Sequence, residues 1–156
     1  FKDTEDDERY LARFRQLIQR KQKQIHGGTL FDILDLHWIS LPDEVRNSYG
    51  KLSEEFNPGN FKTIPAEMSA QLKEIRDEID KAYEIIVNDT RRREYRKGKV
   101  EDFLIVQSAA LLAKKGEMAI MRQDRPEAVN CFAKAVELVP VNGEYKEGLR
   151  RASAIV

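Results

Sequence analysis

Few residues in this 156-residue chain are of types that do chemistry, and their spacing limits what they could do. His26 and His37 do not stand at metal-ligand spacing from each other or from the single Cys131, so no zinc site is expected. Cys131 lies between Asn130 and Phe132 in an amphipathic segment. A small buried hydrophobe is expected there, since a nucleophile would need an adjacent base. Neighbouring carboxylates such as Glu54 and Glu55 point in different directions on a helix and read as a solvated face. No Gly-rich phosphate loop follows a strand, because no stretch reads as a strand. These observations predict neither an enzyme nor a bound cofactor or metal.

Two stretches remain. The first is the loop Asn57-Pro58-Gly59, which abruptly ends a helix-favouring run carrying Tyr49, Leu52 and Phe56 on one side. The second is the basic run at residues 91–99, RRREYRKGK, in which Arg91, Arg92 and Arg93 could meet an acidic partner or a phosphate backbone. Its alternative is a solvated helix whose arginines shield Tyr95 and complement a helix C-terminus. The run lacks interleaved aromatics and the chain has 27 basic and 27 acidic residues, so nucleic acid is not the expected partner.

The elements that must position these residues are helical, because the apolar residues recur at three-and-four spacing and do not alternate. Residues 3–25 carry Tyr10, Phe14, Leu17 and Ile18 on one face. Thr29 can N-cap a short helix with Asp32 three residues on. A helix over 43–56 precedes the loop, and a long one from Pro65 to about residue 88 follows it. A short basic helix comes next, then a helix over 100–123. Asp124 is placed to cap a helix with Pro126 in its first turn, running to Leu138, and a last helix starts near Asn142. The fold class is all-α.

At 41% hydrophobic residues the chain can pack a core. It contains no membrane-length apolar run, so no membrane association is expected. A single cysteine fits a reducing, cytoplasmic setting. The chain begins at Phe1, not Met, and reads as a piece of a longer protein.

Residues 29–98 resemble a J domain, the DnaJ-type co-chaperone module. LFDILDL looks like the family's first helix, with the pattern Tyr-Tyr-x-x-Leu-Gly-Leu. DEVRNSYGKLSEEFNPGNF matches the second helix and its loop without a gap, and EIDKAYEIIVNDTRRREYR matches the end of the third helix and the fourth. The resemblance implies an antiparallel helical hairpin whose loop carries His-Pro-Asp and whose second helix is basic. Together these engage a DnaK-type chaperone and promote its ATP hydrolysis. Here the triplet is Asn57-Pro58-Gly59, and only the proline is kept. In the preceding helix Asp43, Glu44, Glu54 and Glu55 outnumber Arg46 and Lys51, which works against recognition of a positive helix. Both departures imply that stimulation of the chaperone ATPase is lost.

The C-terminal part resembles a tetratricopeptide repeat, a pair of antiparallel helices with a period of about 34 residues. Starting at Ala109, the residues Leu112, Gly116, Ala119, Ala128, Phe132, Ala135 and Pro140 fall at its characteristic positions, and Gln123 replaces the usual turn glycine. The resemblance implies a peptide-binding face including Ala110, Ala113, Glu117, Ile120 and Met121. The alternative for Ile120 and Met121 is packing against the J-like unit.

The expected organisation is an N-terminal helix or linker over 1–27, a J-like domain over 28–99, and a repeat-like unit with a capping helix over 100–156. The long helix after residue 99 joins the last two. The expected function is a non-catalytic interaction module or scaffold for a protein partner of unknown identity. The runner-up is a co-chaperone that still contacts a DnaK-type chaperone, with coupling weakened or lost. A third reading is weak nucleic-acid binding through residues 91–99.

Overall fold

The computed structural model describes residues 2–61 and 63–156, with side chains from Asp7 onward, and these are all-helical. Eight α-helices follow in order: α1 (Lys2–Gly27), α2 (Leu30–Ile33), α3 (Pro42–Glu55), α4 (Ala66–Ile86), α5 (Asp89–Lys99), α6 (Asp102–Met121), α7 (Arg125–Leu138) and α8 (Gly143–Ser153). A single 3-10 turn, Pro58–Asn60, lies between α3 and α4. Local signals set several boundaries. Thr29 and Asp32 close a reciprocal capping box on α2, while Asp124 and Asn142 accept from the first turns of α7 and α8. No helix among the described residues is long and apolar enough to cross a membrane.

The contacts form two compact units: residues 1–37 with 44–88, and residues 38–43 with 89–156. In the first unit α3 and α4 run antiparallel. The Tyr49 ring stacks on Tyr83 at 3.9 Å, and its hydroxyl donates to Asp80 Oδ1 at 2.7 Å. At the other end of the pair, Arg76 Nη1 donates to the Phe56 carbonyl at 2.9 Å. Val45, Leu52 and Phe56 of this stretch are buried with Leu72, Ile75 and Ile79 of α4.

The unit also includes α1, which the sequence reading set apart as residues 1–27. This helix packs on α2 and α4 and buries Phe14 and Ile18. Its Lys21 is only 4% exposed, and Lys21 Nζ donates to the Ile33 carbonyl and to Asp35 Oδ1, both at 2.9 Å. An ammonium so placed would be costly without those two acceptors. They anchor α1 to the end of α2.

In the second unit, α6, α7 and α8 close around Phe132. A Cβ on Gly116 would lie 2.6 Å from this ring and one on Gly148 2.2 Å from it, so both glycines are needed for helices to approach on either side. Burying that ring contributes about 1.5–3 kcal/mol. Trp38 and Ile39 pack on Ile105, Ala109 and Leu138 in the same unit. The expected boundary at residue 99 therefore moves. α5 belongs with the C-terminal helices, because Arg92 and Arg96 are buried there against Glu137 of α7. Nothing local in the sequence joins residues that far apart.

Candidate functional site

The loop at the end of α3 is built by short-range bonds. The Asn57 backbone is extended, and its Oδ1 accepts from Gly59 N at 2.9 Å, capping the 3-10 turn. Asn60 Nδ2 reaches back to the Glu54 carbonyl at 2.7 Å. Pro58 supplies a fixed φ early in the turn. Gly59 does not use a left-handed backbone, so the position accepts a side chain. Its nearest neighbour would be Asn57 Oδ1 at 3.2 Å.

Aromatic rings hold the loop from beneath. Phe56 is fully buried, and the Phe61 ring packs tilted against Phe14 at 4.5 Å and Tyr10 at 5.3 Å. Asn57, Pro58 and Gly59 stay exposed. A cleft of about 230 Å³ beside Pro58 is lined by charges of both signs from α4, including Lys73, Arg76, Asp77 and Asp80. On α3 the residues Glu54 and Glu55 are exposed next to the loop. Trp38 packs on the cluster of Ile105 and Leu138 in the second unit, and in the first unit Phe61 joins the α1 aromatics.

The arginine run is not the solvated helix considered from sequence. Arg92 and Arg96 are 0% and 2% exposed and converge on Glu137, itself 3% exposed. Arg92 binds it with two nitrogens, at 3.1 and 2.6 Å, and Arg96 Nη1 at 2.8 Å. Arg92 Nη2 also meets Asp89 Oδ1 at 2.8 Å. Burial disfavours both charges. For Arg92 the hydrogen bonds to Glu137 and Asp89 outweigh it and raise the pKa, whereas for Arg96 burial wins over Glu137 and lowers it. Arg93 is partly buried, with Nη2 3.4 Å from Glu137 Oε1, and Arg91 is exposed. Of the three arginines proposed to bind a partner, Arg92 is thus committed to an internal carboxylate.

The expected peptide-binding residues of α6 also separate. Glu117 is paired with Arg151 of α8, which holds its carboxyl below the ordinary glutamate range. Ile120 packs on the cluster of Ala119, Phe132 and Ala152, while Met121 is 83% exposed. Cys131 is buried, and burial pushes its thiol pKa up, so it is protonated at neutral pH. Among the described residues no cluster of three His, Cys, Asp or Glu side chains could hold a metal.

Sequence reasoning missed Glu137, Lys21 and Asp35. Part of the signal was present: Arg92 and Arg96 share a helix face four residues apart, so both can reach one acceptor, but nothing local pointed to Glu137 as that acceptor. The chain matches no protein-family model, no curated protein and no solved structure.

Proposed function

We propose that the chain is a non-catalytic protein–protein interaction module in which a degenerate J-like hairpin precedes a tetratricopeptide-like helix pair, and that it does not stimulate a DnaK-type ATPase. One observation carries this reading. Among the described residues only two non-glycine residues have a left-handed backbone, Asp35 and Gln123, each with φ 56°. These are the two positions where the resembled patterns keep glycine: the Leu-Gly-Leu after the first J helix, and the turn between the repeat's helices.

In both places the hydrogen bonds run as in a Schellman turn, which demands that backbone. Leu36 N donates to the Phe31 carbonyl at 2.8 Å and Asp124 N to the Ala119 carbonyl at 2.9 Å. A non-glycine residue there costs about 1–2 kcal/mol. Two patterns that resemble unrelated families are unconnected in sequence, yet each lands on the strained residue. The antiparallel α3 and α4, with the loop at their end, support the same reading.

The loss of activity rests on the loop. An uncharged amide stands at position 57, no carboxylate stands at 59, and the neighbouring Glu54 and Glu55 are exposed. Chaperone contact through the arginine-rich α5 draws little support, since Arg92 and Arg96 are spent on Glu137. The same burial weakens the case for a phosphate backbone on residues 91–99. Single-turnover ATP hydrolysis by a DnaK-type chaperone, with the whole chain added, tests the proposal. No acceleration is expected. Stimulation comparable with that by an intact J protein would overturn it.

A further inference from the structure

Two compact units joined by one linker can unfold separately. This chain instead passes between its units three times, at 37/38, 43/44 and 88/89, so residues 38–43 leave the first unit and return to it at once. Both ends of this strap are anchored there. Leu34 before it and Val45 after it are fully buried, and Ser48 Oγ of α3 donates to the Leu34 carbonyl. The strap itself belongs to the second unit. Trp38 and Ile39 pack on Ile105, Ala109 and Leu138, Ser40 is buried, and the Trp38 carbonyl accepts from Arg96 Nε at 2.8 Å. The rest of that unit's core is thin. Among its described residues the buried apolar side chains larger than alanine are Ile105, Cys131, Phe132 and Leu138, the others being alanines. It also buries the charges of Arg92, Arg96 and Glu137. The first unit, by contrast, buries Phe14, Ile18, Phe31, Phe56, Ile75 and Ile79 among others. A small helical unit with so little apolar volume is marginal by itself, and a buried guanidinium that loses an acceptor destabilises it further. The strap supplies an indole to that core and an acceptor to Arg96.

We propose that residues 38–43 make the second unit conditional on the first: α5 to α8 hold together only while the folded first unit presents the strap, whereas the first unit survives loss of the second. The direction follows from the chain. With the first unit folded, Leu34 and Val45 are fixed and the strap between them has little freedom left to lose. With the first unit unfolded, the strap is joined to α5 only through the disordered segment 44–88, so docking it again must close that loop and order the strap as well. Unfolding the second unit leaves the first with no more than a short free loop between α2 and α3, which costs little. A partner that opened the first unit would therefore also dismantle the second. This inference rests on neither family resemblance.

The sole cysteine, Cys131 of α7, is buried, so its labelling by a thiol reagent reports opening of the second unit, while hydrogen exchange in α4 reports the first. Both are read on the whole chain across a urea titration. In Phe14→Ala, a change confined to the first unit's core, Cys131 protection should be gone wherever α4 protection is gone. Ile18→Val, a milder change in the same core, carries the same test where Phe14→Ala does not fold. Trp38→Ala should open the units in sequence, with Cys131 labelling about 1 M urea or more below the loss of α4 protection. Cys131 still protected after α4 is lost in either α1 variant would overturn the proposal, as would simultaneous loss of both signals in Trp38→Ala.

Discussion

Two left-handed residues divide what a glycine would do at each. Gln123 is exposed and only its backbone matters, so Gln123→Gly removes the steric cost of φ 56° against a smaller loss of chain entropy. A gain of about 0.5–1 kcal/mol is expected, or roughly 2 °C in Tm. Asp35 has the same backbone but holds the buried Lys21. Asp35→Gly relieves the strain and leaves that ammonium with the Ile33 carbonyl alone, which costs about 1–3 kcal/mol. Because Asp35 is itself half exposed, water offsets part of the loss, and the net change is a modest destabilisation. Thermal melts of the two variants should therefore move in opposite directions. Equal stabilisation would mean that Lys21 does not depend on Asp35. Gln123 could be flagged as strained from the repeat pattern, but the tie between Asp35 and the buried Lys21 could not be read from sequence.

At the scale of elements, α5 is the helix whose placement the sequence misjudged. Its spacing allowed a solvated basic helix, and composition alone favours that outcome for six bases in eleven residues. The buried carboxylate of Glu137 reverses it, drawing Arg92 and Arg96 inward and leaving Arg91, Lys97 and Lys99 outside. Glu137→Ala leaves two buried guanidiniums without their shared acceptor and should cost about 3–5 kcal/mol in urea denaturation. Hydrogen exchange should then rise first in α5, where the tie is lost. A loss under 1 kcal/mol would show that water already solvates these charges. The helices themselves were legible because a helix is a local object: caps, Pro positions and three-and-four spacing all act within one or two turns. The α7 start at Asp124 with Pro126 and the α8 start at Asn142 formed where the sequence put them.

For the whole molecule, balanced charge makes acid the direction of weakness. Glu117 and Glu147 are held below the ordinary glutamate value of 4.5, first by hydrogen bonds from Arg151 and Arg150. A depressed carboxyl pKa gives stability that is complete above the unfolded value and lost as pH falls through the folded one. Meanwhile protonation of the 27 acids uncovers 27 bases, and the chain repels itself. Tm should hold from pH 7 to about 5 and fall below it, and Glu117→Gln should shorten the fall; an unchanged acid limb in that variant would show that the Arg151 pair carries no stability. By itself the sequence determined the helical class, the caps and the end of α3 at Asn57, because each depends on neighbours within a few positions. Only the tertiary structure decided that Lys21 ties α1 to Asp35, that Phe61 packs against Tyr10 and Phe14, and that Arg92 meets Glu137 from 45 positions away. Those pairings are fixed by burial, where an isolated charge or ring must find a partner in space, and no local spacing encodes which partner that is.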